Sequence, residues 1–448
     1  MNPSVHLVSL GCAKNTVDSE VMLGSLMKAH YSITLSPEEA EIIIINTCSF
    51  IKPAVEESIG TILEMALQKK SGTCTLLIVT GCLPERFGKT LSELLPEVDL
   101  FIGTGEFHRI AEIINLHRHG RSPSQFFMEN RCYLYNHTTP RINTSPPGSA
   151  YIKIAEGCSH NCSFCIIPRL RGPFRSRPPD SIVQEALDLA HQGIKEINLI
   201  AQDTTMYGRD LSQPVTTATL LQRLARVENL EWIRLLYANP HNVTDDLVRT
   251  IQREEKICDY LDLPLQHVSR KILQAMRRKQ DLKTITNLIE SIRSMIPEVV
   301  IRTTVMVGFP GETEEIFQEL VGFVCKTRFD HLGVFPYYRE EGTRAASFPD
   351  QVPEKVKKHR RKIIMTTQAT VSREKNSAKV GREQKVLIQG NSPSGGWGRT
   401  VSQAPEVDGI TTVTADYDLV PGNMYNARIT GAEVYDLYAT ILVPSSRS

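Results

Sequence analysis

Apolar and polar positions in the first part of the chain follow two alternating periods. Short apolar runs predict strands over residues 5–10, 41–46 and 75–80. Between them, apolar residues recur three or four positions apart, which predicts helices over residues 17–29 and 54–67. The run 42–45 is apolar at every position, as is typical of parallel strands that are buried on both faces. This pattern predicts a parallel α/β sheet domain over residues 1–116.

A second α/β region follows a polar stretch. Residues 117–148 are rich in proline and glycine, which predicts a linker with room for one hairpin. The alternation then resumes with six predicted strands, at residues 151–155, 196–201, 232–237, 260–265, 299–307 and 331–338. Six strand-helix units predict a barrel or partial barrel over residues 149–378, with its site at the carboxyl ends of the strands.

The last part of the chain changes character twice. A long helix is predicted from Pro353 to about residue 378, and residues 355–379 hold nine lysines and arginines against one acid, Glu374. This helix is either a solvated face or a docking surface for RNA or another anionic partner. Four short runs rich in branched and aromatic residues then predict a small antiparallel β-barrel over residues 379–448, with strands at 385–389, 411–414, 424–430 and 438–443.

Composition excludes several classes of protein. The 448 residues are 41% apolar and 23% charged, which rules out global disorder. The 51 basic and 50 acidic residues leave a net charge of +1, so any binding of nucleic acid has to be local. No apolar stretch approaches the ~18 residues of a membrane span, and no secretory signal is legible at the amino terminus. We therefore expect a cytoplasmic protein without a membrane partner.

Three cysteines share one position in the strand-helix repeat. Cys12, Cys48 and Cys82 each follow a predicted buried strand. The carboxyl ends of parallel strands share one edge of a sheet, so we expect these thiols to converge, with Gly11 and Gly81 allowing close approach of the backbone. They are either buried packing residues or ligands of a metal group. Iron-sulfur ligation is favoured over zinc, because structural zinc requires a fourth protein ligand and none repeats the pattern.

A second trio has the most specific spacing in the chain. Cys158, Cys162 and Cys165 form a CxxxCxxC motif directly after the first strand of the predicted barrel. Three cysteines within eight residues can hold one 4Fe-4S cluster and leave its fourth iron without a protein ligand. The alternative is a zinc knuckle with His160 as the fourth ligand. Its loop would be too short for that role.

The motif resembles that of the radical SAM superfamily, including the aromatic Phe164 before the last cysteine. The resemblance implies that the open iron binds S-adenosylmethionine and that an electron from the cluster cleaves it to a 5'-deoxyadenosyl radical. Gln202 and Arg302, at or on predicted strands, are candidates for binding that cofactor. Asp203, beside Gln202, could contact the same cofactor, and the turn at residues 308–313 could help to position it. Both are equally well explained as ordinary strand-end residues and as a tight turn that feeds a helix.

The three predicted domains together resemble the methylthiotransferases, and the terminal barrel resembles a TRAM domain. The resemblance implies two 4Fe-4S clusters, the first bringing the sulfur, and two S-adenosylmethionine molecules, one as methyl donor and one as radical source. An external electron donor such as a flavodoxin or ferredoxin is implied as well. Four segments are similar to the branch that modifies the β-carbon of an aspartate in small-subunit ribosomal protein number twelve, free or in the assembled subunit: GCAKNTVDSE (11–20), CIIPRLRG (165–172), IRLLY (233–237) and APEVDG (404–409).

Two alternatives remain open, an adenosine-modifying tRNA branch and a non-catalytic iron-sulfur protein that binds the ribosome. The tRNA enzymes usually carry TSHP where this chain has YANP at 237–240. Residues 380–448 hold five basic and seven acidic residues, a net charge of −2 that suits a basic protein partner better than RNA. Ala13 and Ser49 stand where the family commonly has proline and glycine. Neither is a ligand, so these departures bear on loop shape.

Overall fold

The computed structural model describes residues 2–128 and 131–442, which form two compact units. The first unit contains the chain up to Thr144 together with Ala155–Arg177 and Glu340–Thr343. The second contains Ser145–Ile154, Pro178–Arg339 and the chain from Arg344 onward. The segment that carries the CxxxCxxC motif therefore belongs to the same unit as the amino-terminal sheet.

A six-stranded parallel sheet with helices on its faces forms the body of the first unit. Its elements are β1 (Ser4–Ser9), α1 (Ala13–Lys28), β2 (Ser32–Ile33), β3 (Ile42–Thr47), α2 (Lys52–Ala66), α3 (Gln68–Ser71), β4 (Leu76–Gly81), α4 (Cys82–Phe87), α5 (Thr90–Leu94), β5 (Leu100–Ile102), α6 (Ile110–Arg118) and β6 (Phe126–Phe127). The strand order is β2-β1-β3-β4-β5-β6, and every neighbouring pair is parallel. All residues of β3 and β4 are buried, as the apolar pattern predicts.

The three strands predicted for this sheet are confirmed to within one residue at each end. The additional strands β2, β5 and β6 are two or three residues long, too short for a periodic pattern. Strand β6 lies in the stretch predicted to be a linker, where it adds to the sheet edge beside β5. The chain then forms β7 (Ser149–Lys153) in the second unit. It returns to the first with β8 (Ala155–Glu156), α7 (Ile167–Arg171) and β9 (Arg175–Ser176).

The second unit is built on a partial barrel. After β7 come α8 (Pro179–His191), β10 (Glu196–Ile200), α9 (Thr217–Ala225), β11 (Trp232–Leu235), α10 (Asp245–Arg253), β12 (Ile257–Gln266), α11 (Arg270–Ala275), α12 (Leu282–Met295), β13 (Val300–Val307), α13 (Glu314–Thr327), β14 (His331–Pro336) and α14 (Glu354–Ser377). The six strands are parallel in the order β14-β13-β12-β11-β10-β7. All six predicted strands are confirmed, and Pro353 immediately precedes α14 as predicted.

A small closed barrel completes the second unit. Its strands are β15 (Glu383–Ser392), β16 (Gly395–Thr400), β17 (Thr411–Thr414), β18 (Met424–Ala432) and β19 (Leu437–Ile441). Four neighbouring pairs are antiparallel, as predicted, and β17 pairs with β19 in parallel. Strand β16 was not predicted because three glycines interrupt its alternation. One of them, Gly398, is where a side chain would collide with the carbonyl oxygen of Leu387.

A buried cluster of charges joins this barrel to the parallel sheet of the same unit. Glu196 on β10 is fully buried and pairs with Arg234 on β11 at 3.0 Å and with Arg399 on β16. Burial by itself raises the pKa of the Glu196 carboxyl. The two guanidiniums outweigh burial and bring the pKa to about 2. None of the described helices has the length and apolar composition needed to cross a membrane.

Candidate iron-sulfur sites

The first cysteine trio lies at the carboxyl ends of three neighbouring strands. Cys12 is the cap residue before α1, Cys48 follows β3, and Cys82 is the first residue of α4 directly after β4. The register pairs Thr47 with Gly81, so Cys48 and Cys82 leave the sheet at the same level. The structure thus brings together the three thiols that the strand repeat singled out. Their role as cluster ligands stays a prediction.

Two glycines permit this convergence by letting the loops approach the neighbouring strand. A Cβ atom on Gly11, which has φ +100°, would lie 2.7 Å from Cys48 Cβ and 3.2 Å from Cys48 Sγ. A Cβ atom on Gly81, which has φ +94°, would lie 2.4 Å from Asn46 Oδ1. Gly11 therefore leaves room for the side chain of Cys48, and Gly81 allows the end of its strand to approach Asn46 and Thr47.

The three thiols differ in exposure. Cys12 is exposed, Cys48 is half-buried and Cys82 is buried. Burial raises the pKa of the Cys48 thiol, and it raises the pKa of Cys82 to about 12. The neighbouring thiols of Cys48 and Cys12 add to the rise at Cys82, and the Arg171 guanidinium opposes it. Binding a metal group here would therefore release protons, because the ligand form of cysteine is the thiolate.

Buried polar side chains hold the loops around this trio. Asn15 donates from Nδ2 to the carbonyl oxygens of Leu10 and Thr47, at 2.8 and 3.0 Å. Ser49 donates from its hydroxyl to the Cys82 carbonyl at 2.8 Å. A glycine at position 49 could not make this bond, so the departure from the family pattern adds a contact to the loop of Cys82. Ala13, the other departure, is buried at the first position of α1.

The second trio lies in a loop closed by a two-stranded ribbon. Strands β8 and β9 pair antiparallel, and Cys158 donates its backbone N–H to the carbonyl oxygen of Gly172 at 3.1 Å. Cys158 Sγ accepts the backbone N–H of His160 at 3.4 Å. Hydrogen bonds to sulfur are one of the means by which proteins tune iron-sulfur clusters. Gly157 has φ +77°, and a Cβ there would lie 2.1 Å from the carbonyl oxygen of Pro173. The tight entry to the motif thus requires glycine.

Zinc ligation was the alternative for both trios. Within residues 2–128 and 131–442, no group of three or more His, Cys, Asp or Glu side chains is arranged to hold a single metal ion. In a cubane cluster each cysteine binds a different iron atom, so its ligands stand wider apart than those around one ion. The observation therefore argues against a single zinc ion at either trio, with or without His160 as a ligand. It does not argue against a cubane cluster at either trio.

Helix α7 connects the two trios within the first unit. Ile166 and Leu170, just after Cys165, pack against Cys82 in a small buried cluster. At the end of this helix, Arg171 Nη2 lies 2.5 Å from Asn15 Oδ1 and 3.0 Å from Asp18 Oδ2. Its Nη1 lies 3.2 Å from both carboxylate oxygens of Glu156, two residues before Cys158. A single buried guanidinium thus contacts the surroundings of both trios.

Sequence reasoning did not assign Arg171, Asn15, Asp18 or Glu156 to a site. The first three do lie in the segments 11–20 and 165–172 that carried the family resemblance, and their residue types are polar or charged. No local pattern shows that residues about 155 positions apart pair with each other. Burial makes an unpaired charge costly, so Arg171 requires these partners. Desolvation by itself lowers the pKa of Arg171, but the negative charges of Glu156 and Asp18 outweigh it and raise the pKa well above its usual value.

The other residues considered for cofactor binding, Gln202, Asp203 and Arg302, lie in the second unit. Arg302 on β13 pairs with Asp262 at 3.0 Å and Asp408 at 3.5 Å. Asp203 caps a short 3-10 turn by accepting the backbone N–H of Thr205 at 2.9 Å. Gln202 is half-buried after β10. The assignment of Gln202 and Arg302 to the cofactor stays a prediction, and Asp203 has the structural role of a cap.

The turn at residues 308–313 also has a structural role. Glu312 accepts the backbone N–H of Gly308 at 2.9 Å and pairs with Arg360 at 2.7 Å, and Thr313 caps α13. This agrees with the interpretation of the glycines as a tight turn that feeds a helix.

Three family models match successive parts of the chain. Residues 4–103 match the uncharacterized protein family UPF0004, residues 152–324 match the radical SAM superfamily, and residues 380–442 match the TRAM domain. Among solved structures, the radical S-adenosylmethionine methyltransferase TsrM from Kitasatospora setae is similar in fold. Its TM-score is 0.57 and its identity 14%, over 74% of this chain and 73% of that one. The cobalamin-dependent S-adenosylmethionine radical enzyme OxsB has a TM-score of 0.53 and 12% identity, over 83% and 58%.

The fold and the CxxxCxxC loop therefore define a radical SAM enzyme, a class that carries a 4Fe-4S cluster and uses S-adenosylmethionine. Curated relatives narrow the class further. Proteins of Geotalea uraniireducens (strain Rf4) and Geobacter sulfurreducens (strain ATCC 51573 / DSM 12127 / PCA), each named ribosomal protein uS12 methylthiotransferase RimO, are 50% identical over 441 residues, 98% of this chain and 98% of each relative. The chain belongs to the RimO family of methylthiotransferases.

Proposed function

We propose that this enzyme methylthiolates the β-carbon of an aspartate in ribosomal protein uS12. One S-adenosylmethionine would serve as methyl donor and a second as radical source. The observation that carries the proposal is that the two cysteine trios lie in one compact unit, linked through α7 and Arg171. The full-length similarity to proteins named for this activity supports the choice of substrate.

Each trio has a separate task in this proposal. Cys158, Cys162 and Cys165 would hold the 4Fe-4S cluster that binds and cleaves S-adenosylmethionine, and Cys12, Cys48 and Cys82 would hold a second 4Fe-4S cluster that carries the sulfur. When bound, these groups supply the electron for radical formation and the site of sulfur transfer. The side chains of the protein bind and orient them. Gly157 shapes the tight entry to the second trio, and Gly11 lets Cys12 approach Cys48.

Arg171 has an electrostatic role in the proposal. A thiolate-ligated cluster is negatively charged, and Arg171 is the buried cation beside Cys82. Its hydrogen bonds to Asn15, Asp18 and Glu156 hold it there, so its charge is available without reorganisation. Asp18 and Glu156 balance the guanidinium when no cluster is bound.

We further propose that the enzyme works in the cytoplasm with an external electron donor such as a flavodoxin or ferredoxin. The substrate would be uS12, either free or in the small ribosomal subunit. The net charge of −2 over residues 380–448 suits a basic protein substrate.

The proposal is tested with anaerobically reconstituted protein, which should contain about eight irons per chain from two cubanes. Incubation with dithionite, S-adenosylmethionine and either purified uS12 or bulk tRNA is followed by mass spectrometry. We expect 5'-deoxyadenosine and a uS12 aspartate in which one methylthio group has replaced one hydrogen. Modification of tRNA adenosine alone would establish the tRNA alternative, and absence of 5'-deoxyadenosine would indicate a non-catalytic protein.

A further inference from the structure

Helix α14 divides the basic residues of its segment into two groups. Four of the nine lysines and arginines between residues 355 and 379 are used inside the protein. Lys357 pairs with Glu354 at 2.6 Å, Arg360 with Glu312 at 2.7 Å and Lys375 with Asp330 at 2.8 Å. Lys379, the fourth, donates from Nζ to the hydroxyl of Ser402 at 3.0 Å.

The other five form an exposed surface that we call the α14 basic face: Lys355, Lys358, Arg361, Lys362 and Arg373. Within the described parts of the chain, none of the five forms an ion pair or a side-chain hydrogen bond. The acids that lie next to them along the helix are occupied, since Glu354 pairs with Lys357 and Glu374 pairs with Arg328 at 2.6 Å. The charge of this face is therefore uncompensated.

The arrangement of these charges opposes helix formation. Lys358 has like-charged neighbours three or four positions away at Lys355, Arg361 and Lys362, and such pairs destabilise a helix. Lys355 lies in the first turn, where the helix dipole disfavours cations. Both effects would be relieved by a bound polyanion. Lys355, Lys358 and Lys362 share one side of the helix and span ~10 Å along its axis, so they can contact a continuous chain of phosphates.

The surroundings of the face favour a phosphate backbone over an acidic protein. The core of a protein interface is apolar and enriched in aromatic residues. None of the large apolar side chains exposed among the described residues lies on α14. No Phe, Tyr or Trp occurs between residues 354 and 377, so this helix offers no large aromatic platform on which bases could stack; its one aromatic ring is the imidazole of His359. A surface of this kind recognises nucleic acid by charge and not by sequence.

We propose that the α14 basic face binds the phosphate backbone of RNA that lies beside the substrate protein in the small ribosomal subunit. This inference rests on the proposed function for the identity of the RNA. The net charge of +1 for the whole chain implies that such binding is local to this helix. The face would then give the enzyme affinity for the RNA-containing form of its substrate, and uS12 free of RNA would gain nothing from it.

The test compares the reconstituted full-length protein with the triple variant K355Q/K358Q/K362Q. A matched control, R226Q/R253Q/K283Q, removes the same net charge from exposed positions elsewhere in the second unit. Binding of a mixed-sequence RNA duplex and of purified small subunits is measured by fluorescence anisotropy over a range of salt concentrations. We expect the triple variant to lose about tenfold or more in affinity and its log-log salt slope to flatten by about two to three, with the control close to the unaltered protein.

Activity assays separate this inference from the proposed function. We expect the triple variant to methylthiolate isolated uS12 at the unaltered rate and subunit-bound uS12 more slowly when enzyme is limiting. Equal RNA affinity and salt slope in all three proteins would overturn the inference. So would equally tight binding of poly-glutamate, which would indicate an acidic protein partner. If the unaltered protein modifies uS12 in neither form, the proposed function fails, and the RNA measurements still decide the role of the face.

Discussion

The guanidinium of Arg171 lies 3.0 Å from the carboxylate of Asp18, deep in the first unit. Arg171 belongs to the helix that follows the second cysteine trio, and Asp18 belongs to the helix that follows Cys12. With Glu156 on its other side, this pair ties the environments of the two trios together. The integrity of both sites is therefore expected to depend on one residue that is itself no ligand.

Replacing Arg171 by methionine should destabilise the first unit strongly. The change leaves Asp18 and Glu156 buried without their cation, which typically costs about 3–5 kcal/mol. Hydrogen exchange of the metal-free protein should show that loss in peptides from α1 and α7. The stability of R171K should fall between that of the unaltered protein and that of R171M. Lysine keeps the positive charge but lacks the planar guanidinium that reaches three partners. The control R118M, at an exposed position of α6, should stay within about 0.5 kcal/mol of the unaltered protein. Unchanged protection in R171M would contradict the role of the pair.

Removing one cysteine from each trio should separate the two proposed tasks. C158A should abolish cleavage of S-adenosylmethionine, whereas C12A should keep cleavage and stop transfer of sulfur. Each variant should retain about four of the expected eight irons. C325A is the matched control, since Cys325 is exposed on α13 outside both trios and should change neither activity nor iron content. Equal loss of both activities in C158A and C12A, with folding intact, would be inconsistent with this division.

Replacing Gly157 by alanine should disrupt the second trio selectively. The new Cβ would lie 2.1 Å from the Pro173 carbonyl oxygen, and the positive φ of this residue is unfavourable for alanine. We expect loss of S-adenosylmethionine cleavage and of about half the iron. In contrast, G322A should preserve activity and stabilise α13 by up to about 1 kcal/mol, because its Cβ meets nothing within 4 Å. Full iron content in G157A would show that the loop adapts.

The second unit should lose stability on acidification because of Glu196. Its pKa is about 2 when folded against a usual value near 4.5, so the folded state favours the carboxylate. The resulting stabilisation, about 3 kcal/mol, is complete above pH ~4.5 and is lost as the pH falls toward 2. E196Q should be less stable than the unaltered protein at pH 7 and should show a flatter dependence below pH 4.5. E319Q, on an exposed site of α13, is the control. Urea unfolding at several pH values measures the stability at pH 7 and its dependence on pH. If the free energy of unfolding had the same pH slope in E196Q and in the unaltered protein, the acid sensitivity could not be attributed to Glu196.

Much of the fold could be predicted because its signals are local. The pattern of apolar residues along the sequence predicts strands such as Ile42–Thr47 and Val300–Val307. The short strand Phe126–Phe127 and the glycine-interrupted strand Gly395–Thr400 could not be predicted this way. Two residues cannot establish a period, and glycine gives no polarity pattern. Such strands form because neighbouring strands of the folded sheet or barrel offer hydrogen-bond partners.

Convergence of Cys12, Cys48 and Cys82 followed from the sequence because each cysteine occupies the same place after a parallel strand, and the ends of parallel strands share one edge. The CxxxCxxC trio is likewise a matter of spacing within eight residues. The partners of Arg171, the cluster around Glu196 and the division of the nine basic residues near α14 into paired and free groups were decided only by the tertiary structure. A buried charge pairs with whichever opposite charge the packed chain brings within reach, and no local pattern records contacts across 150 or 200 residues.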